Sequence, residues 1–513
     1  MRKRLFVIPL IISTFALTGC KAISTFYHAY IAPEHLSTLT KVDLAYTYED
    51  YTAKNFYDVS CAPSTGDVHL LVVPIWFADS SNYIPISEKE RVKSDIYKAY
   101  FGSQEDTGWH SVSSYYKEES KNRLNLTGEV TDWYSCGRSS SYFYSSSDTT
   151  TDLVREVVSY YKNRHSASEI AKFDSDNNGY LDGVMLIYGS PDYSTMKNDE
   201  ADNMWAYCFW LQDGNANPAN PNPNAFFWAS YDFMYGYTNH YGDYFGGDTY
   251  HCKLDTHTYI HEMGHIFGLE DYYDYSGKTL PAGGFSMQDY NVGGHDPYSI
   301  MALGWANPYV PKESCQVQLN KFQDTHDLII LSPDFTGSPF DEYLILELYS
   351  PTGLNKFDTD NSYLNMYPQG PTVNGIRLWH VDARLVELDE SATELRNDNY
   401  SITNKIKNGK IYHHLMSNTR YTNETEGYAS ILGRSYSDYN LLQLVRNNKT
   451  TSYLSAKELD KGSLFRMGDS FSMSNFKLQF KQWGKLNNNK TLGWSFRIDK
   501  LNEERAIITL TKK

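Results

Sequence analysis

The chain has 513 residues, of which 41% are hydrophobic and 21% are charged. This composition excludes a disordered chain and a multi-pass membrane protein, and the length allows about two to four domains. The formal net charge of −16 argues against a nucleic-acid partner, because phosphate binding needs a basic surface. Six cysteines are too few for a disulfide-stapled scaffold.

The first twenty residues have the pattern of a bacterial lipoprotein signal peptide. Met1–Arg4 is basic, and Leu5–Leu17 is an apolar stretch that is too short to span a bilayer comfortably. The small residues before Cys20 resemble a lipobox, which predicts a signal peptide over residues 1–19 and lipid attachment at Cys20. An ordinary signal peptide cut nearby is the alternative, and both interpretations export the protein. We therefore expect a protein that is lipid-anchored to the membrane at the bacterial cell surface.

The next elements follow in chain order. Residues 20–66 show little periodicity and are interpreted as an N-terminal tether. The apolar run Leu70–Phe77 predicts a buried strand, and residues 152–164 have the 3.6-residue period of an amphipathic helix. Beyond about residue 313, turn-separated apolar runs predict a β-rich, sandwich-like region. These runs are Asp327–Leu331, Tyr343–Leu348, Ile376–Val381 and Ala506–Leu510.

An acidic loop before residue 183 has part of the pattern of a calcium-binding loop. The candidate Ca²⁺ ligands are Asp174, Asp176, Asn178, Tyr180 through its carbonyl, and Asp182. Gly179 supplies the sharp turn, but the twelfth position is Met185 instead of the bidentate Glu of an EF-hand. The run Val184–Tyr188 reads as a strand and not as an exiting helix. The loop is therefore only EF-like, and an Asx-rich turn that leads into a strand is the alternative.

The segment His261–His265 (HEMGH) is an HExxH motif. On a helix, residues i and i+4 lie on one face, so both imidazoles can bind one Zn²⁺ ion. Glu262 then lies beside the metal, where it can act as the general base for a zinc-activated water. The motif predicts a catalytic zinc centre with Glu262 as the catalytic residue.

A catalytic zinc ion needs a third protein ligand, and Asp271 is the candidate. Gly268 can adopt a positive φ and turn the chain out of the helix, so that Asp271 returns to the metal. This is the HExxHxxGxxH spacing of metzincins with Asp in place of the third His. The other zincin arrangement needs a downstream Glu, and the sequence has none between Asp271 and Lys312. Glu270 is adjacent to Asp271 and is expected to point elsewhere.

The segment Gly283–Tyr290 (GGFSMQDY) matches a Met-turn. Met287 is expected to form a hydrophobic floor beneath the imidazoles, and an ordinary core methionine is the alternative. Tyr290 is a candidate for contact with the transition state or the substrate, with Tyr272 and Tyr273 as alternatives.

With these motifs, the sequence resembles the immune-inhibitor-A-type secreted zinc metallopeptidases of bacteria, which are metzincin-related. The matching segments are Leu70–Asp79, Ser113–Tyr134, Asp174–Asp182, His261–Asp271, Ser286–Met287, Tyr298–Pro308, Glu342–Glu347 and Gly375–Asp382. The resemblance implies a zinc endopeptidase with Glu262 as its base and His261, His265 and Asp271 as its ligands. It also implies a helix and a hairpin within Ser113–Tyr134.

The expected fold is α+β. It consists of a metzincin-like zinc protease domain, with a mixed sheet and an active-site helix, followed by the β-rich, sandwich-like C-terminal region. The expected boundaries are a lipoprotein signal peptide at 1–19, a tether at 20–66, a catalytic domain at 67–312 and the C-terminal region at 313–513.

The leading hypothesis is a surface-anchored zinc metalloendopeptidase that hydrolyses extracellular proteins. The alternative is a non-catalytic binding protein or adhesin, glycan-binding through a Tyr-rich surface, that retains the protease fold. Zn²⁺ is the expected cofactor, with Ca²⁺ as a second. The expected partners are protein or peptide substrates and the membrane, but no nucleic acid, and we expect a monomer.

Overall fold

The N-terminal half of the chain folds around a mixed β-sheet. The computed structural model describes residues 35–52, 60–236, 253–361, 368–388, 401–407, 409–419, 439–453 and 458–513. The strands of this sheet are β1 (Gly66–Trp76), β2 (Leu124–Val130), β3 (Tyr134–Ser135), β4 (Val184–Tyr188), β5 (Tyr207–Trp210) and β6 (Ala225–Ser230). Their order is β2-β1-β4-β6-β5, with β3 beside β1. All pairs are parallel except β5–β6, and β5 is an edge strand within the described part of the chain.

The central strand β1 confirms the strand predicted from Leu70–Phe77. Its residues from Leu70 to Trp76 are all buried, because β2 and β4 pair with its edges and a hydrophobic core covers each of its faces. Leu70 and Val72 pack into one hydrophobic core, and Leu71 and Val73 pack into another. This alternation explains why a strand covered on both faces reads as a continuous apolar run.

Half of the α-helices named below lie between the strands of the N-terminal sheet. They are α1 (Tyr48–Thr52), α2 (Lys89–Phe101), α3 (Gln104–Thr107), α4 (Val112–Glu119), α5 (Ser147–Lys162), α6 (Ala167–Ile170), α7 (Tyr193–Met196), α8 (His257–Ile266), α9 (Met287–Tyr290), α10 (Pro297–Ala302), α11 (Phe322–Thr325) and α12 (Asn355–Asp360). Helix α5 confirms the helix predicted over 152–164, and its buried face includes Val154, Val157, Val158 and Tyr161. Ser146 caps α5 by accepting a hydrogen bond from the N–H of Asp148.

The hairpin expected within Ser113–Tyr134 is not formed, and that expectation is wrong. Strands β2 and β3 do not pair with each other but both run parallel to β1, with Val130 opposite Val72 and Tyr134 opposite Ile75. The N–H of Thr131 donates to the carbonyl of Val72, which continues the β1 ladder through the connection. The chain therefore bends but does not reverse, because its hydrogen-bonding partner is β1 throughout.

Antiparallel sheets form the C-terminal region. Their strands are β7 (Cys315–Asn320), β8 (Leu328–Leu331), β9 (Glu342–Tyr349), β10 (Gly375–Asp382), β11 (Leu385–Leu388), β12 (Ser401–Thr403), β13 (Ile411–His414), β14 (Leu442–Val445), β15 (Ser470–Ser472), β16 (Trp494–Leu501) and β17 (Arg505–Lys512). The sheet orders are β14-β10-β9-β8, β15-β16-β17-β7 and β12-β11-β13. The runs predicted as strands coincide with β8, β9, β10 and β17, so the predicted β-rich character of this region is confirmed.

Both faces of the β14-β10-β9-β8 sheet are buried. Leu344 and Leu346 of β9 pack into a core shared with β15, β16 and β17. Ile345 and Tyr349, on the opposite face, belong to the large core that also contains Met287 and much of the N-terminal half. The predicted boundary at residue 312 therefore crosses a shared hydrophobic core, and it stays a prediction.

The described end of the expected tether packs against the rest of the protein. Leu36 forms a β-bridge with Gln316. In α1, the hydroxyl of buried Tyr48 lies 3.3 Å from the hydroxyl of Tyr298 and 3.2 Å from Nε2 of His414. The predicted signal peptide and Cys20 lie outside the described residues. Within the part of the chain that is described, no helix combines the length and the apolar character that crossing a bilayer requires.

Candidate metal centre

Helix α8 carries the HExxH motif and is held on two sides. The hydroxyl of Tyr116 in α4 donates to the carbonyl of Ile260 at 2.6 Å. The thiol of Cys208 in β5 donates to the carbonyl of Glu262 at 3.0 Å. These contacts fix the helix against both the α4 side and the edge strand of the sheet.

A glycine inside α8 permits a close approach by the Met-turn. A Cβ atom placed on Gly264 would lie 2.2 Å from Oε1 of Gln288, which is fully buried. A glycine inside a helix costs roughly 1 kcal/mol relative to alanine. Because α9 packs closely against α8, a side chain at this position would require the buried Gln288 amide to move.

The structure brings the three predicted zinc ligands together. Nε2 of His261 lies 3.1 Å from Nε2 of His265 and 3.0 Å from Oδ1 of Asp271, and His265 Nε2 lies 3.2 Å from the same oxygen. Gly268 has the expected positive φ, at +98°, and turns the chain so that Asp271 reaches the histidines. Ligand atoms bound to one tetrahedral zinc ion lie about 3.3 Å apart. The triangle of donor atoms therefore has the size that a zinc ion needs.

Backbone carbonyls set the tautomers of both histidines. Nδ1 of His261 lies 2.7 Å from the carbonyl of Met287, and Nδ1 of His265 lies 2.7 Å from the carbonyl of Leu269. Because a carbonyl only accepts hydrogen bonds, each Nδ1 carries a proton, and in the neutral imidazole each Nε2 presents its lone pair. Two nitrogen lone pairs and the Asp271 carboxylate then face one another, which is favourable only around a cation.

Burial and neighbouring charge shift the pKa values of His265, Asp271 and Glu262. Burial lowers the pKa of His265, but the Asp271 carboxylate more than offsets that and raises it to about 10. Burial opposes ionisation of Asp271, yet the two histidines hold its pKa far below the ordinary value. Burial also raises the pKa of the Glu262 carboxyl. Opposed pKa shifts of this kind among buried histidines and carboxylates are typical of functional sites.

Met287 contributes through its backbone as well as its side chain. Its side chain is fully buried in the large core, and its carbonyl orients the ring of His261. The predicted floor position does not capture this hydrogen bond, which depends on the fold of the Gly283–Tyr290 turn.

A tyrosine that was not predicted reaches the cluster. The hydroxyl of Tyr275 donates a hydrogen bond to Oδ2 of Asp271. Of the predicted tyrosines, the alternative Tyr273 does lie at the site, because it lines the cleft and its ring centroid is 6.3 Å from that of His261. The ring of Tyr290 lies 6.2 Å from that of Tyr273, and the hydroxyl of Tyr272 is 3.0 Å from Oγ of Ser299. No spacing rule indicates Tyr275, because residues 271–275 are not helical.

A cavity of about 740 Å³ opens beside the cluster. Its wall contains Glu262, His265 and Asp271 from the motif segment, and it follows the edge strand β5 from Tyr207 to Trp210. Thr52 from α1 and Cys61 border it, as does His413 from β13. The N-terminal segment and the C-terminal region thus both contribute to the cleft, which the motif spacing does not reveal.

An imidazole at the start of α8 bridges two acids and also escaped prediction. Nδ1 of His257 lies 2.8 Å from Oδ1 of Asp255, and the side chains of His257, Asp255 and Asp358 are all buried. Its Nε2 lies 3.0 Å from Oδ1 of Asp358 in α12. Burial lowers the pKa of His257, but Asp358 and Asp255 raise it to about 9. His257 is therefore an imidazolium that is neutralised on both sides.

The acidic loop places three of its five predicted ligands together. Carboxylate oxygens of Asp174, Asp176 and Asp182 lie within 4.8 Å of one another. The side chain of Asn178 bonds within the loop, with its Oδ1 accepting from the N–H of Tyr180 at 2.8 Å. Asp182 is buried and its Oδ1 has no hydrogen-bond partner, and burial raises its pKa to about 7. The orphaned oxygen fits a cation, whereas the other bonds fit the predicted Asx-rich turn.

A comparison with protein-family models finds no match for the chain, and a comparison with curated proteins finds none either.

Proposed function

We propose that the chain is a zinc-dependent endopeptidase. One observation carries the proposal: the lone pairs of His261 Nε2 and His265 Nε2 converge with Oδ1 of Asp271 at the wall of an open cavity. The donor set of two imidazoles and one carboxylate is one that catalytic zinc sites use, with the fourth position left for water or substrate.

The residues of this chain have separable roles in the proposed reaction. Zn²⁺, when bound by His261, His265 and Asp271, supplies a Lewis acid that polarises the substrate carbonyl and acidifies water. The Glu262 carboxylate would take a proton from the attacking water and deliver it to the leaving amide nitrogen. Its raised pKa suits both halves of that transfer, because the protonated form is easier to reach than in an exposed glutamate.

The edge strand supports a peptide substrate. One side of β5 pairs with β6, and its other side is the sheet edge within the described residues. The segment Trp205–Trp210 lines the cavity, so an extended peptide can pair with β5 while it crosses the cluster. Backbone pairing is independent of side chains, and it supports an endopeptidase over an enzyme that recognises a small molecule.

The finer assignments belong to the same proposal. We place the chain near the metzincin-related, immune-inhibitor-A-type peptidases on the strength of the motif resemblance. We also propose a sandwich of the two four-stranded C-terminal sheets, a lipid anchor at Cys20 and a Ca²⁺ ion in the acidic loop. The hydrophobic core shared by the two sheets supports the sandwich. The Asp182 oxygen that has no hydrogen-bond partner supports the Ca²⁺ ion.

Three variants test the assignment in the zinc-loaded full chain. Glu262→Gln should keep its zinc and lose peptide cleavage by roughly 10²–10⁴-fold, which is the range of general acid–base catalysis. His265→Gln should lose both zinc and cleavage, and Glu90→Gln, at an exposed glutamate of α2, should change neither. The readouts are zinc content by plasma emission and cleavage of a peptide library by mass spectrometry.

Undiminished cleavage by Glu262→Gln, or by the wild type after complete zinc removal, would contradict the proposal. A wild type that holds zinc and cleaves no peptide would instead favour the non-catalytic binding protein.

A further inference from the structure

A pair of buried carboxylates lies apart from the zinc cluster and from the acidic loop. Asp192 follows β4 and Asp232 follows β6, and both side chains are completely buried. The two strands are parallel and end opposite each other, with Tyr188 paired to Ser230. The carboxyl ends of parallel strands are where open sheets bind their ligands.

The loops that carry the two acids are joined directly. Oγ of Ser230 donates to the carbonyl of Ser190 at 2.5 Å, which ties the end of β6 to the loop after β4. The Ser230 hydroxyl also accepts from the N–H of Asp232 at 3.1 Å. The backbone therefore ties together the two loops that carry the acids. Burial raises the pKa of the Asp232 carboxyl well above its ordinary value, and the negative charge of Asp192 raises it further.

Both carboxylate oxygens of Asp232 lack hydrogen-bond partners. The hydroxyls of Ser230 and Thr195 and the amide of Asp192 are near enough to lower its pKa, but none reaches hydrogen-bond geometry with either oxygen. No cationic side chain is among the groups that most affect its pKa. An ionised carboxylate left in this state would cost several kcal/mol, so something must neutralise it.

Asp192 differs because the chain already orients it. Its Oδ1 accepts from the N–H groups of Ser194 and Thr195, and its Oδ2 accepts from the hydroxyl of Thr195 at 2.6 Å. Each carboxylate oxygen has two lone pairs, so Oδ2 of Asp192 retains acceptor capacity. Asp192 is thus fixed in place, whereas both oxygens of Asp232 have no hydrogen-bond partner.

We propose that Asp192 and Asp232 hold a second Ca²⁺ ion at the carboxyl ends of β4 and β6. The donors are all oxygens, which Ca²⁺ prefers, and the two negative charges match one divalent cation. The ion would have a structural role next to the active-site helix. The hydroxyl of Tyr259 in α8 donates to the carbonyl of Ser230 at 2.8 Å, so the same loop supports the zinc helix.

The competing account is a proton on Asp232, which would neutralise one acid without a cation. The two accounts differ in their response to Asp232→Asn. Asparagine reproduces the shape of a neutral acid but removes a charged Ca²⁺ ligand. If a proton neutralises Asp232, then the variant keeps its stability and the protein gains nothing from Ca²⁺ at this position.

The test uses the full chain with Zn²⁺ resupplied and Ca²⁺ alone as the probe. The background variant carries Asp176→Asn and Asp182→Asn, which disable the acidic loop. About one Ca²⁺ per chain should remain bound to this variant after dialysis. Its melting temperature should be higher with Ca²⁺ than without it by roughly 2 °C or more. Adding Asp232→Asn to this background should abolish both the bound Ca²⁺ and the rise in melting temperature. Calcium content is measured by plasma emission and melting by circular dichroism.

Two outcomes would overturn the proposal. One is a folded loop-disabled background that retains no Ca²⁺, and this result does not depend on whether Asp232→Asn folds. The other is unchanged Ca²⁺ content after Asp232→Asn. If the acidic loop itself binds no Ca²⁺, the wild type and the background hold the same amount, and the loss with Asp232→Asn still identifies the site.

Discussion

Nε2 of His257 lies 3.0 Å from Oδ1 of Asp358, and this contact links the first turn of the zinc helix to a helix of the C-terminal region. The other oxygen of Asp358 accepts from the N–H of Gly293 at 2.7 Å, just beyond the Met-turn. One carboxylate therefore positions both chain segments that build the metal centre. The ring of Trp109 stacks on His257 with centroids 4.1 Å apart and excludes water from the contact.

We predict that Asp358→Asn lowers the free energy of unfolding by about 1.5–3 kcal/mol, because asparagine can still accept a hydrogen bond from His257 but lacks one of the two charges that hold the buried imidazolium. Lys356→Met, which breaks the exposed pair between Lys356 and Asp360 on the same helix, should change stability by less than about 1 kcal/mol. Urea unfolding with Zn²⁺ present measures both. Equal stability of the two variants would show that the buried bridge contributes no more than a surface pair.

The same bridge predicts a pH dependence. The pKa of His257 is raised to about 9 in the folded protein from 6.5. Its stabilisation is therefore complete below about pH 6.5 and is lost as the pH rises through about 9, by roughly 3 kcal/mol in total. The measurement is the difference in unfolding free energy between wild type and His257→Gln, because the titration of Asp289, with its pKa near 8, cancels in that difference. A difference that stays constant from pH 6 to pH 10 would contradict the bridge.

Tyr275→Phe should weaken zinc binding without removing a ligand. The Tyr275 hydroxyl donates to the oxygen of Asp271 that faces away from the histidines, and loss of such an outer contact costs about 10–100-fold in metal affinity. Competition with a chromophoric chelator measures the affinity. Tyr97→Phe, at an exposed tyrosine of α2, is the control, and the idea fails if both variants bind zinc as the wild type does.

Gly264→Ala should destabilise the protein although alanine is the better helix former. The added Cβ would lie 2.2 Å from Oε1 of Gln288, and overpacking of a core costs about 1–3 kcal/mol. The double variant with Gln288→Ala removes the obstructing amide and should recover part of the loss. Thermal unfolding compares the three proteins, and a Gly264→Ala variant more stable than the wild type would refute the close approach.

Local patterns predicted the parts of the fold that depend on neighbouring residues. The apolar run of β1, the helical period of α5 and the positive φ of Gly268 each follow from a short stretch of sequence. The convergence of His261, His265 and Asp271 also follows, because all three lie within eleven consecutive residues.

Contacts between distant segments could not be predicted in this way. Asp358 lies 101 residues from His257, and no spacing rule relates them. His413 reaches the cleft through the pairing of β13 with β11, which depends on tertiary packing. The hairpin expected after α4 was wrong for the same reason, since the competing partner β1 lies more than fifty residues earlier in the chain.

The sheet β14-β10-β9-β8, with both faces buried, limits how this protein can evolve. This region shares one hydrophobic core with the N-terminal half and another with the last strands. Recombination at any boundary of the region would therefore disrupt a core. Asp358 and His413 belong to this region and serve the metal centre and the cleft. Homologous proteins should therefore inherit both halves together, and changes in cleft shape should arise by substitution within the C-terminal loops and not by domain shuffling.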